Sequence, residues 1–163
     1  KNYFRLITEI DSSSKAIVEE LESQGILNDT LIIFTTDNGL FHSEHGMAGK
    51  WYPHQESIRV PLIIRDPRMP EEQAGSTHDA FTLSIDLATT ILSAANVTPS
   101  PLMQGRDISE LYIQQVKDWR KEFFYEHPTH VSRDVIPGST ALVRKDFKYM
   151  RWTEQQVEQL FNL

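Results

Sequence analysis

The sequence contains no cysteine. That removes disulfides, zinc–thiolate sites and a cysteine nucleophile, and it leaves the redox compartment unread. It also lacks any apolar run approaching the roughly 20 residues needed to cross a bilayer. Positive charge is in short supply: 16 Lys and Arg stand against 23 Asp and Glu, a net −7. That balance argues against a sequence-independent grip on nucleic acid or on an anionic membrane. It still permits an anionic small substrate, because one local lysine and a bound cation outweigh a distant acidic surface. Repeats and low-complexity tracts are absent. What remains is 163 residues, enough for one ordinary domain with a real core.

The elements that are present follow an α/β order with a strand-rich tail. Phe4, Ile7, Ile10, Ile17 and Leu21 recur near helical spacing, with Ser12-Ser13-Ser14 as an expected break and Gly25 as a stop. Thr30 to Thr36 is a β-branched apolar run without alternation, which predicts a strand buried on both faces. Val60 to Arg65 predicts a second strand, limited by Pro61. Residues 79–95 predict a helix with Phe81, Ile85, Ala88 and Leu92 on its inner stripe, capped by Ser76 with Asp79. A weaker helix is expected over 108–119, a short strand over 122–125, a hairpin around Lys145-Asp146 and a short helix over 153–160.

The chemistry concentrates between the first two strands. Ligand sites in open α/β sheets form beyond the carboxyl ends of strands, where Asp37-Asn38-Gly39 stands. Asp37 offers an anionic oxygen and Asn38 an amide oxygen, a pair suited to a hard cation. Asn-Gly is also an ordinary turn dipeptide, and two oxygens cannot complete a calcium shell of about six to eight. Eleven residues later a glycine-rich loop closes at Gly49-Lys50. Its spacing is not that of a Walker A loop, yet its lysine can meet an oxyanion as a point charge. His42 and His45 lack the HExxH context of a zinc enzyme. His45 is a candidate to orient a substrate or donate to a leaving group. Glu56 and Arg59 stand as candidate supports, Glu56 pairing with Lys50 or Arg59.

The string Thr35-Thr36-Asp37-Asn38-Gly39, Glu44-His45-Gly46, Gly49-Lys50-Trp51-Tyr52 and Glu56 through Ile64 resembles the sulfatase family, within the alkaline-phosphatase-like superfamily. Residues 21–30, 86–92 and Met103-Gln104-Gly105-Arg106-Asp107 resemble its flanking pieces. The resemblance implies that Asp37 and Asn38 are metal ligands for calcium or magnesium, that Lys50 contacts sulfate oxygens, and that His45 lies beside them. Glu56 and Arg59 match supporting positions. The implied fold is the carboxyl-terminal portion of a mixed sheet covered by helices, over residues 1–110, followed by a small strand-rich α+β tail over 111–163.

The family's nucleophile is a formylglycine made in a Cys/Ser-x-Pro/Ala-x-Arg segment. Neither Ser100 nor Ser139 has that context, and there is no cysteine. The expectation is therefore part of a sulfuric ester hydrolase, inactive alone, whose partners are the remainder of the catalytic domain and a sulfated small molecule or glycan. A periplasmic or secreted location follows from the resemblance only. Two rivals stand beside it. One is a phosphodiesterase or phosphonate hydrolase of the same superfamily, disfavoured by Asn38 where that group often carries histidine. The other is a non-catalytic binding module. Trp119, Tyr125, His127, His130 and Trp152 receive no role.

Overall fold

The computed structural model describes residues 2–128, 132 and 136–163. The amino-terminal helix α1 (Asn2–Ser23) runs unbroken through the serine triplet, contrary to the expected interruption. The reason is local: Ser12, Ser13 and Ser14 hydroxyls donate to the carbonyls of Thr8, Glu9 and Ile10 at 2.8–2.9 Å. Bonding back to residue i−4 lets serine sit inside a helix.

A single 3-10 turn (Leu27–Asp29) leads into β1 (Ile32–Thr35). Its partner is β4 (Leu62–Arg65), antiparallel, with Ile33 opposite Ile64. The expected burial on both faces does not hold within this chain, where Phe34 is 37% and Ile63 64% exposed. The pairing is antiparallel because residues 36–61 hold no crossover helix long enough to return the chain in the same direction. They contain only β2 (Phe41–His42), a 3-10 turn (Glu44–Gly46), β3 (Ala48–Gly49) and the one-turn α2 (Gln55–Ile58).

Helix α3 (Ser84–Ala94) begins five residues later than expected. Asp86, not Ser76 or Asp79, sets its start: the Leu83 N–H donates to the Asp86 carboxylate at 2.7 Å. The buried face is polar, formed by Asp86, Thr89 and Thr90, while Ile85 and Ile91 point outward. That face binds the following loop. Ile108 N–H donates to Thr90 Oγ1 at 2.9 Å, and Thr89 Oγ1 donates to the Gly105 carbonyl at 3.2 Å. Gly105 is required there, since a Cβ would stand 2.0 Å from the Ile85 carbonyl oxygen. Asp86 also accepts from Arg106 N–H at 2.8 Å and from the Arg120 guanidinium, an ion pair whose carboxylate is fully buried.

The helix expected over 108–119 shrinks to α4 (Ser109–Tyr112). Gln115 takes a left-handed φ of 54°, and Trp119 turns back into the core, donating Nε1–H to the Phe81 carbonyl at 2.7 Å. Ile108, Leu111, Tyr112 and Trp119 form one buried cluster, packed by Leu62, Ile64 and Leu87. The tail is a four-stranded antiparallel meander of β5 (Glu122–His127), β6 (Ser139–Arg144), β7 (Phe147–Trp152) and β8 (Val157–Asn162). The hairpin around Lys145-Asp146 is present. The short helix expected over 153–160 is instead β8. Gln156, at φ 54°, turns the chain so that Val157 pairs with Trp152, which satisfies the open ladder groups of β7. A second buried cluster, Ala141, Val143 and Met150, packs the sheet against Ile58 and Phe81.

Candidate functional site

The site loop leaves β1 at Thr36 and is pulled back against α2. Gly39 N–H donates to the Ser57 carbonyl at 2.8 Å. A Cβ on Gly39 would fall 2.0 Å from the Glu56 carbonyl oxygen, so the close approach of the two backbones admits only glycine. This contact fixes the two residues before it. Asp37 is exposed, and its Oδ1 accepts from the Asn38 N–H at 2.9 Å and from Thr36 Oγ1 at 3.2 Å. Asn38 is half-buried; its Nδ2 donates to the Gly39 carbonyl at 2.8 Å, which turns the amide oxygen the other way.

That oxygen receives Lys50. The Lys50 ammonium donates to Asn38 Oδ1 at 2.9 Å and lies 5.4 Å from the Trp51 ring centroid. Twelve residues of loop thus close on one carboxamide, bringing Asp37, Asn38 and Lys50 together. Trp51 is held in the left-handed region at φ 78°, uncommon for a bulky side chain, with its N–H donating to Ser57 Oγ at 3.0 Å.

Glu56 pairs with neither Lys50 nor Arg59. Its Oε1 lies 3.2 Å from His45 Nε2, which stands on a residue at φ 55°. The left-handed backbone at His45 swings the imidazole toward α2, a reach that i, i+3 counting from His42 does not disclose. Arg59 is exposed and has no ion pair among the described residues; its N–H donates to the Gln55 carbonyl at 2.9 Å.

Two residues near the site carry no signal strong enough to single them out by spacing. His54, half-buried, has its ring 5.1 Å from that of His45 and 5.7 Å from that of Phe41. Burial lowers its pKa, with the charges of His45 and Lys148 adding and Glu56 opposing. Lys148, on β7, is 3% exposed and donates to the Pro53 carbonyl at 2.7 Å. It shares the inward face of β7 with Met150. Of the tail residues given no role, Trp119 belongs to the core, Tyr125 hydroxyl donates to the Trp51 carbonyl at 3.3 Å, and Trp152 packs on Tyr52 at 5.7 Å. His130 lies outside the described residues.

The donor set fits a hard cation in part. Asp37 and Asn38, adjacent in the loop, supply two oxygens of the chemistry calcium and magnesium take. Among the described residues no group of three or more histidine and carboxylate side chains is placed to hold a metal ion. A complete shell therefore requires ligands beyond these.

Comparison with known proteins adds a separate line of observation. Residues 43–163 match the model of the family described as N-sulphoglucosamine sulphohydrolase, C-terminal. The chain is 30% identical over 155 residues to an N-acetylglucosamine-6-O-sulfatase of Bacteroides thetaiotaomicron, covering 93% of this chain and 27% of that protein. It superposes with a TM-score of 0.87 and 28% identity on a structure solved in complex with its substrate D-glucosamine-2-N,6-O-disulfate, covering 96% of this chain and 32% of that one. A phosphonate monoester hydrolase of Agrobacterium radiobacter superposes with a TM-score of 0.84 and 26% identity, over 96% of this chain and 33% of that one. The chain thus spans about a quarter to a third of the length of these proteins.

Proposed function

The chain belongs to the sulfatase family, through its carboxyl-terminal region, and on that premise we propose that it forms the part of a sulfuric ester hydrolase that grips the sulfate group. The observation carrying this reading is the closure of Lys50 onto Asn38 Oδ1 beside Asp37, at 2.9 Å. A carboxamide oxygen has two lone pairs, so it can serve a cation and an ammonium together. Asp37 and Asn38 would hold a hard cation, calcium or magnesium, whose charge offsets that of the sulfate oxygens. Lys50 presents its ammonium to the same oxygens as a point charge that needs no proton transfer. His45, held by Glu56, would sit at the rim and orient the ester or donate to its leaving oxygen. The nucleophile, a formylglycine by family resemblance, would come from protein outside this chain, as would the remaining metal ligands.

The partner completing the site is the rest of the catalytic domain. Supporting this, α1 has no buried residue, and Ile63 on β4 and Ile85 and Ile91 on α3 stand 64%, 50% and 51% exposed. Exposed apolar area of that extent marks a surface that expects cover. Among the described residues no helix is long and apolar enough to cross a membrane. The substrate class we assign is a sulfated glucosamine-type sugar, because two of the similar proteins are described by such substrates.

In the full-length protein, Lys50→Ala is expected to lower kcat/KM on a glucosamine sulfate by ~10²–10³, the usual cost of removing one electrostatic stabiliser of a developing anion. Unchanged turnover would sink the reading. The isolated chain is expected to show no turnover and to bind calcium weakly by calorimetry. The similarity to a phosphonate monoester hydrolase supports a second reading, hydrolysis of phosphonate or phosphate esters. Side-by-side assay of sulfate and phosphonate monoesters separates the two, together with metal content: one calcium for the first, two transition metals for the second.

A further inference from the structure

Lys148 occupies a position where physical chemistry asks for an apolar side chain. Residues of β7 alternate between exposed and buried, and Lys148 falls in the buried phase with Met150, opposite Val143 on β6. It is 3% exposed, with no carboxylate in ion-pair range among the described residues. An ammonium buried without a counter-ion is costly, and methionine or leucine would fit the same strand phase more cheaply. Burial lowers its pKa to about 8, with only the more distant charge of Glu56 opposing. Its hydrogen bond goes to the backbone of the site loop, the Pro53 carbonyl at 2.7 Å.

Pro53 sits midway between Lys50 and Glu56 and is itself fully buried. Two residues earlier, the Trp51 carbonyl accepts from the Tyr125 hydroxyl of β5 at 3.3 Å. The carboxyl-terminal sheet therefore takes two carbonyls of the 51–53 segment from β5 and β7, on either side of β6. The first of these carbonyls belongs to the strained Trp51, at φ 78°, directly after the site lysine. A bulky residue in that region persists only where its surroundings hold it.

The geometry points to Lys148 as a positioning residue that clamps the Pro53 carbonyl and thereby sets where Lys50 presents its ammonium, with Tyr125 as a second and weaker tether. This rests on the role proposed above for Lys50. The tail sheet is then part of the catalytic apparatus without touching substrate. Misplacing a reacting group by about 1 Å can cost ~10²-fold in rate, so a tether at this distance is worth a buried charge.

The test is a double-mutant cycle in the full-length protein, reading kcat/KM on a glucosamine sulfate. Lys148→Met is expected to lower kcat/KM ~10–100-fold, and Tyr125→Phe, which keeps the ring, a few-fold. In a Lys50→Ala background both losses are expected to vanish, because the group they position is gone. A merely structural lysine would cost the same in either background, and such additive losses overturn the inference while leaving the function standing. A silent Lys50→Ala overturns the function and this inference with it. Should Lys148→Met fail to fold, the Tyr125→Phe cycle decides in the same way: non-additivity upholds the clamp, additivity or no loss removes it.

Discussion

In the carboxyl-terminal sheet, Ala141, Val143 and Met150 are each 1% exposed, whereas along α1 Phe4, Leu6 and Ile17 stand 71%, 63% and 61% exposed. Both segments carry abundant apolar residues. The sheet covers its inner face with Ile58, Phe81, Phe123 and Tyr125, all from within the chain. The helix finds no such cover, and isolated helices of this length are marginal in water even when rich in good formers. The difference teaches that the chain holds two kinds of surface. One is a finished core that supports the site loop from below, and the other is an apolar face left exposed.

Three perturbations bear on that contrast. The largest effect is expected at the join. Asp86 is 0% exposed and holds Leu83, Arg106 and Arg120 at once, so Asp86→Ala leaves the Arg120 guanidinium without its anion. Removing one partner of a buried ion pair costs ~3–5 kcal/mol, and chemical denaturation should register it as a lower midpoint. A change under about 1 kcal/mol would mean that the pair behaves like a surface one.

A smaller, differential effect separates the two surfaces directly. Met150→Ala should destabilise this chain by ~2–5 kcal/mol through the cavity left behind. Ile10→Ala on the exposed α1 face should stay within about 0.5 kcal/mol. In the full-length protein the Ile10 variant should become costly if the proposed partner region covers that face. Equal costs for Ile10 in both contexts would break the comparison.

The smallest effect is in pH dependence, where the two regions act in different windows. At Asp66, burial pushes the carboxyl up, but hydrogen bonds from Arg68 and Tyr112 outweigh it and hold it below its ordinary 3.8. Its stabilisation is present above that value and is lost as the pH falls through the folded pKa. Lys148 is lowered from 10.5 to about 8, so the unfolded chain binds the extra proton between those values. Stability should therefore climb as pH rises from 8 toward 10.5. Denaturation midpoints across pH should lose the acid slope in Asp66→Asn and flatten the alkaline slope in Lys148→Met. Unaltered slopes would show that these groups titrate alike in both states.

The site was legible in part because its chemistry lies in one continuous stretch. Asp37, Asn38 and Lys50 are all visible between two strands, and their closure on one carboxamide needs only a loop that folds back. The partner of Glu56 was not legible, because His45 reaches it through a left-handed backbone that spacing rules do not anticipate. Helix α3 was placed correctly in kind, but its buried face was misread. Threonine hydroxyls and Asp86 lie inward there because the loop at 105–108 offers backbone groups for them to satisfy. The last strand was missed for a related reason: β8 exists to pair with β7, a non-local demand that overrides local propensity.

Composition and order alone determined the α/β character, the strand-rich tail, the lack of thiol chemistry and the loop on which the polar residues gather. Those properties follow from residue type and short-range spacing. Only the tertiary structure decided that β1 and β4 run antiparallel, that Glu56 holds His45, and that Lys148, 95 residues away from Pro53 along the chain, seizes its carbonyl. A contact across that distance depends on how strands register and which face they bury, and no local pattern of side chains encodes it.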